Sequence, residues 1–497
     1  MKTGAKKLLL CSVSLTICLG IASCKSTPVF SDKKFPVNVT IWHYYNGIQK
    51  QQLDQLVTSF NETVGTQNNI VVEAVNQGSI NELSQKVLAS LQQDVSTQDM
   101  PDVFAAYSDT VYQFQQQNLV ADIGKYLTDV EKTEYVDAYL AEGDFQEDGS
   151  LYIFPVAKAT EVFLLNSTDF LPFSKATGAS DADFATWEGI AKISHMYYDW
   201  TDSQTPALDD GKAFFGRDAM ANYLLVGHMQ LSGEMFSIKD GKAVLTMDPV
   251  AMRRLWNVYY VPYLNGYYAS YGRFRSDDVK TGDLIALVGS TSGAAYFPNE
   301  VTLDNGTSYS IEGNVYPVPN FEGTSPYAVQ QGAGMAVLKS DQETENAAVT
   351  FLKWFASQEQ NITFSATSGY MPVKKDAQDA QAISSHLQSL NIQANPLVQK
   401  VLEIGIETTQ SYALYTPHPF EGGNEIRIIL ETSLQQKAED DRKSMLELMT
   451  HGATREDAVR AFDTDANFEN WFSALQSQLN SILEASDMDT HSGTTAE

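Results

Sequence analysis

Residues 41–47 read IWHYYNG and place three aromatic side chains, Trp42, Tyr44 and Tyr45, at the end of an alternating apolar run. Flat aromatic faces there can lie against the C–H face of a hydroxyl-rich ligand while its hydroxyls find polar partners; core packing is the competing use for Trp42. Asp109 follows the apolar run VFAA (103–106) and can accept such hydroxyls or simply cap the helix that begins there. The stretch GSTSGAAYF (289–297) offers three hydroxyls and two glycines, either as a helix N-terminus that holds an oxyanion or as a plain turn. Arg427 can grip phosphate or carboxylate with two parallel hydrogen bonds, or form an ordinary ion pair on its helix. Trp187 can stack on a ligand or staple its own helix. An enzyme needs a tighter constellation than this. GSTSG is not a G-x-S-x-G elbow, no Walker loop occurs, and the seven histidines lack close ligand spacing. With 62 carboxylates some pair must be close, so a glycoside hydrolase dyad stays open as the enzymatic alternative. No catalytic residue, metal or cofactor is assigned, and a non-enzyme is expected.

The N-terminus carries Lys2, Lys6 and Lys7 ahead of an apolar segment, residues 8–20, that is too short to span a bilayer and has a secretory signal's layout. Small residues, Ile21-Ala22-Ser23, then precede Cys24, which resembles the lipobox of bacterial lipoproteins; that likeness implies cleavage before Cys24 and lipidation of its thiol. Cys11 and Cys18 lie in the segment removed, so no other thiol remains and disulfide, thiolate and cysteine-metal chemistry fall together. KSTPVFSDKKFP (25–36) reads as a polar tether. The chain has 33 basic and 62 acidic residues, a formal net charge of −29. Such a surface repels phosphate backbones, and nucleic acid is not expected as a partner.

These candidates need a scaffold. Alternation over 37–44, helical spacing of Leu53, Leu56, Val57, Phe60 and Val64, and a β-branched run at 70–75 predict strand, helix and strand. Ser79 with Glu82 three residues on is a capping-box pattern ahead of a second helix, and DVFAAY after Pro101 is a third strand. The order β-α-β-α-β implies a parallel sheet, whose ligands sit beyond the carboxyl ends of the strands. That rule marks residues 42–46, 76–79 and 107–109. Further on, LYIFPVAKATEVFLLN (151–166) is extended, residues 186–200 are helical, and the aromatic run 256–274 reads as packing. A strand is expected at 332–340 and a helix at 346–357, with Ala347, Phe351, Trp354 and Phe355 inward. Helices are expected around 425–438 and 467–483.

Six segments in order, IWHYYNG (41–47), PDVFAAYSDTVYQFQQQNLVADI (101–123), LYIFPVAKATEVFLLN (151–166), TWEGIAK (186–192), QGAGMAVLK (331–339) with AAVTFLKWFAS (347–357), and SGYMPVKK (368–375), resemble extracellular solute-binding proteins of bacterial ABC importers. GGNEIRIIL (422–430) resembles the glycerol-3-phosphate-binding branch. The resemblance implies an α/β, two-lobed periplasmic-binding-protein-like fold (type II), each lobe a mainly parallel sheet flanked by helices, with a multi-strand hinge. It divides the chain into a signal peptide (1–23), a lipidated tether (24–36), an N-terminal lobe (37–157 and 313–367), a helix-rich C-terminal lobe (158–312 and 368–485) and a disordered tail (486–497). It implies ligand contacts from Trp42, Tyr44, Tyr45, Asp109, Lys158, Thr160, Glu161, Trp187, Ser292, Gly332, Tyr370 and Arg427. Ala159 stands where members of the family often carry a serine, which removes one ligand-facing hydroxyl. The implied function is capture of a mono- or oligosaccharide and delivery to ABC permease subunits by a monomer held, through Cys24, at the outer face of the cytoplasmic membrane. Glycerol-3-phosphate or another phosphorylated polyol is the alternative ligand, and a surface-binding lipoprotein without a transport role is the alternative class. The overall acidity favours a neutral sugar.

Overall fold

The computed structural model describes residues 35–92, 100–146, 148–239, 242–390 and 395–492. The expected signal peptide, Cys24 and most of the tether lie outside these residues. In VNVTIWH the alternation puts Val39, Ile41 and His43 into the core, and the strand Val37–His43 pairs in parallel with Ile70–Asn76 and with Val103–Ala106. Gly334–Val337 completes this first sheet as an antiparallel edge beside Val103–Ala106. The expected β-α-β-α-β order is therefore present. Its first helix, Gly47–Phe60, buries Leu53, Leu56, Val57 and Phe60. Its second, Ile80–Gln92, opens on the anticipated capping box: Glu82 N–H donates to Ser79 Oγ (3.2 Å) and Ser79 N–H to Glu82 Oε2 (2.6 Å).

From the first sheet the chain passes through an extended stretch in which Phe154, Lys158 and Ala159 pair antiparallel with Met335, Met371 and Gln331. It then enters a second sheet as Glu161–Asn166. That strand lies between Gly313–Pro317 and Ala286–Ser290, antiparallel to both, and Phe215–Arg217 runs parallel to Ala286–Ser290 at the edge. Alternation explains why EVFLLN is apolar throughout: Phe163 and Leu165 pack with Phe184, Trp187 and Phe215 on one face, Val162 and Leu164 with Leu287 and Val315 on the other.

Two lobe boundaries differ from expectation. Gly313–Pro317, expected in the first lobe, belongs to the second sheet because its backbone completes the ladder with Glu161–Asn166, Gly313 facing Asn166. The chain rejoins the first sheet only at Gly334–Val337. Conversely, Gly369 caps the helix Gln358–Ser368 in the left-handed conformation, and the turn carries Tyr370 and Val373 into the first core, although 368 was expected to begin second-lobe chain.

The second lobe is completed by helices, including Met220–Ser232, Pro249–Leu264, Gly423–Thr450 and Asp465–Ser492. Trp256, Tyr259, Tyr260, Tyr263 and Tyr268 are core residues, as the aromatic run suggested, with the Trp256 and Tyr260 rings stacked at 3.7 Å. The last helix continues past residue 486, where disorder was expected. Ile482 and Ser486 lie against Gly422 at the head of Gly423–Thr450; residues 493–497 of the expected tail lie outside the described residues.

Gly332 sits where the crossing segments meet. Its φ is +89°, and a Cβ there would lie 2.6 Å from the Ala157 carbonyl oxygen and 3.0 Å from Lys158 Cα. Gly332→Ala is therefore expected to lower stability by about 2 kcal/mol or more, read as a lower urea midpoint with an unchanged slope; an unaltered midpoint would show that the crossing tolerates a side chain.

Candidate functional site between the two sheets

Tyr44 follows the strand Val37–His43, and its hydroxyl lies 3.0 Å from that of Tyr370. Tyr370 packs edge-on against Tyr45 and parallel to Phe364, with the Ser292 hydroxyl beside its own. Burial raises the pKa of both Tyr44 and Tyr370, so both remain neutral hydrogen-bonding groups. Tyr45, expected to face ligand, is instead completely buried between Tyr44, Phe364 and Tyr370 and serves as their support. Trp42 is half-buried against the first core.

Beneath these groups lies the crossing. Lys158 is fully buried and its ammonium ion-pairs with Glu142, which also accepts from Gln330 Nε2 (2.9 Å); the ammonium donates in addition to the Gly332 carbonyl (2.9 Å). It is neither a solvated charge nor open to ligand, because an unpaired buried ammonium would be too costly. Gly332 likewise makes room for crossing backbone rather than for a ligand. Thr160 is buried; its carbonyl accepts from Thr291 N–H (2.8 Å) and its hydroxyl has no partner among the described residues.

The second wall is built at the carboxyl ends of Phe215–Arg217 and Ala286–Ser290. Register places Glu161 beside Ser290 and Arg217 beside Val288. Glu161 Oε1 accepts from Arg217 Nη2 (2.7 Å) and Asn222 Nδ2 (3.1 Å). Trp187 begins the helix Trp187–Asp202, capped by Thr186, and its buried ring packs on Phe215, Tyr223 and the Arg217 guanidinium. The GSTSG segment is a 3-10 turn, Thr291–Tyr296, with the Ser290 and Ser292 hydroxyls 2.9 Å apart.

Arg427 joins the walls. It donates to Asn222 Oδ1 (2.9 Å) in the second lobe and lies over the Tyr107 ring of the first, centroid 5.4 Å away. Among the described residues it forms no carboxylate ion pair, contrary to the reading as an ordinary helix-surface pair. Asp109 is not the helix cap, a position held by Tyr107, but stands in the first turn of Ser108–Gln116. Its Oδ1 approaches to 2.6 Å the point a Cβ on Gly423 would occupy, at the positive end of the helix Gly423–Thr450. Burial nevertheless pushes its pKa up to about 6; Arg427 opposes the rise, while Glu425 and Glu142 add to it.

The structure thus gathers Tyr44, Asp109, Glu161, Trp187, Ser292, Tyr370 and Arg427 around one region between the sheets. It puts Tyr45, Lys158, Thr160 and Gly332 into core or hinge behind them, with Trp42 at the side. Sequence reasoning marked Tyr107 only as part of a strand-end segment and missed Glu142, Arg217, Asn222 and Tyr223. The strand-end rule points at Arg217, but a three-residue strand leaves no alternation to read. Among the described residues no group of three or more His, Cys, Asp or Glu side chains is placed to hold a metal ion, and no helix is long and apolar enough to cross a membrane. The arrangement offers hydrogen-bond donors, acceptors and aromatic faces, the equipment for holding a small polar molecule.

Two sheets joined by crossing strands, with polar groups converging between them, define a two-lobed α/β binding protein. The sequence profile described as bacterial extracellular solute-binding protein matches residues 55–393, and the chain belongs to that family, whose members are exported. No curated protein sequence matches the chain. Similar solved structures include Mycobacterium tuberculosis UgpB in complex with glycerophosphocholine (20% identity, TM-score 0.62, 90% of this chain and 98% of that one). A cyclic alpha-maltosyl-1,6-maltose binding protein from Arthrobacter globiformis is 18% identical (TM-score 0.60, 88% and 99%). An ABC substrate-binding protein from Listeria monocytogenes in complex with cycloalternan is 15% identical (TM-score 0.61, 89% and 99%). These likenesses establish the type II two-lobed fold.

Asp109 titrates as a carboxyl favoured in its protonated form, so its burial costs nothing below about pH 4 and its full penalty above about pH 6. Asp109→Asn is expected to raise the unfolding free energy by roughly 2–3 kcal/mol at pH 7.5 and to leave it nearly unchanged at pH 4. Urea unfolding at the two pH values checks this; a difference independent of pH would assign the carboxylate a solvated setting.

Proposed function

We propose that this chain is the capture subunit of an ABC importer, trapping a mono- or oligosaccharide between its lobes and delivering it to permease subunits, with no chemistry performed on the ligand. The observation that carries this reading is the convergence of the Asp109 and Glu161 carboxylates with the Tyr44 and Tyr370 hydroxyls and the Trp187 ring. Carboxylates accept sugar hydroxyls, tyrosines both donate and accept, and aromatic rings cover C–H faces. The printed ligands of two similar structures, cyclic alpha-maltosyl-1,6-maltose and cycloalternan, are in keeping with it. Cys24 supplies the anchor: cleaved before it and lipidated, the chain works as a monomer at the outer face of the cytoplasmic membrane, within reach of its permease. Arg427 favours a second reading, a phosphorylated polyol, because among the described residues its guanidinium carries no carboxylate partner and the similar UgpB structure holds glycerophosphocholine.

A thermal-unfolding screen against saccharides and glycerol phosphates separates the readings. A ligand at 100 times its dissociation constant is expected to stabilise the protein by about 2.7 kcal/mol. Arg427→Ala is expected to abolish stabilisation by phosphate esters and to spare that by neutral sugars. If no small molecule of either class stabilises the chain, a surface-binding lipoprotein becomes the better description. For the anchor, lipid labelling in cells is expected to vanish in Cys24→Ala; labelling that persists would place the attachment elsewhere.

A further inference from the structure

Arg217 carries its charge on a side chain that is 1% exposed. Nε donates to the Asp218 carbonyl (3.1 Å), and Nη2 donates to Glu161 Oε1 (2.7 Å) and the Ala219 carbonyl (3.2 Å). Nη1 is buried and has no partner among the described residues. A guanidinium does not shed its proton, so these N–H groups stay donors without an acceptor. The rings of Trp187 and Tyr223 lie 5.3 and 5.2 Å from the guanidinium carbon; they attract the cation through their faces but accept no in-plane hydrogen bond.

Glu161 is incomplete in the opposite sense. Oε1 takes the bonds from both Arg217 and Asn222, and among the described residues Oε2 takes none. Both side chains line a small cavity with Trp187, Asn222, Tyr223 and Gln230. Its volume of about 10 Å³ admits one hydroxyl-sized group. A spare donor and a spare acceptor on one neutralised ion pair, walled by aromatic rings, call for a guest that both accepts and donates. Hydroxyl groups do both. A phosphate ester at neutral pH brings acceptors and negative charge against the Glu161 carboxylate, which repels it.

We infer that the Arg217–Glu161 pair is a subsite for one hydroxyl of an uncharged sugar and the feature of the second lobe that turns phosphate esters away. The inference rests on the capture function proposed above and narrows its ligand class. It makes Arg217 a residue that touches ligand, where a structural role would leave binding indifferent to its replacement.

The test uses the full chain and its Arg217→Met and Arg217→Lys variants, screened by thermal unfolding against mono- to tetrasaccharides, glycerol 3-phosphate and glycerophosphocholine, with calorimetric titration of whichever probes bind. Arg217→Lys keeps a cation opposite Glu161 and loses the planar fork, so it decides the matter if Arg217→Met does not fold. The expected result is that a neutral saccharide binds the parent protein, and that both folded variants lose roughly ten- to a hundredfold in affinity for it. Saccharide binding that survives both substitutions overturns the subsite and leaves the capture function standing. So does equal weakening toward saccharides and phosphate esters, or a parent protein that binds phosphate esters alone. A parent protein stabilised by no probe overturns the capture function, and the subsite with it.

Discussion

Two antiparallel backbone pairs tie the two sheets into one molecule, Ala159 with Gln331 and Lys158 with Met371. Each pair is closed by a hydrogen bond in both directions: Ala159 N–H to Gln331 O at 2.9 Å and the reverse at 2.8 Å, Lys158 N–H to Met371 O at 3.1 Å and the reverse at 2.6 Å. Because neighbouring residues of an extended chain turn their backbone groups to opposite sides, residues 158 and 159 bond different partners, and their segment becomes the middle of a three-stranded ribbon. A ribbon this tight dictates side chains. Gly332 can have none, Lys158 must be buried and so requires Glu142, and three residues after Lys158 Glu161 opens the second sheet with its carboxylate held by Arg217 and Asn222. The hinge and the binding wall are thus consecutive residues of one segment.

The distribution of charge follows from the same segment. The chain is strongly acidic, yet three cations, Lys158, Arg217 and Arg427, are concentrated where the lobes meet. Two have a buried carboxylate at contact distance, while Arg427 is served by an amide and a ring. Replacing one partner of a buried pair costs about 3–5 kcal/mol, although the intact pair adds little net stability. What these pairs supply is position. Asn222 illustrates it: its amide donates to Glu161 and accepts from Arg427, so three side chains from a strand and two helices hold one another in register.

Much of the scaffold was legible in the sequence because its local signals agree with its packing. Alternation in VNVTIWH, the Ser79 and Glu82 cap and the extended stretch 151–166 each correspond to an element in the folded chain. What escaped depends on partners remote in sequence. Nothing in GNVYP says which sheet will accept it; only the ladder with Glu161–Asn166 does. Lys158 is expected to contact ligand, and nothing in its local sequence shows that Glu142, sixteen residues earlier, folds beneath it. Asp109 reads equally as a hydroxyl acceptor or as a helix cap, and only the start of the helix from Tyr107 removes the second use. Arg217 was hidden by the brevity of its strand. The rule that ligands gather at carboxyl strand ends marks segments 42–46 and 107–109, from which Tyr44, Tyr107 and Asp109 come, and the short strands of the second sheet kept it from reaching Arg217.

The helix Gly423–Thr450 has a consequence of scale. At 1.5 Å per residue its 28 residues extend about 42 Å, and Arg427, in its second turn, is the point at which it meets the opposite lobe. A rigid helix of that length turns a small rotation at its head into a larger displacement at its far end. Each degree of rotation displaces its distal turn by about 0.7 Å at that length, so a domain closure too slight to notice among the contact residues becomes a displacement of several ångströms on the outer surface. Any rotation at the head of this helix is therefore amplified at its far end.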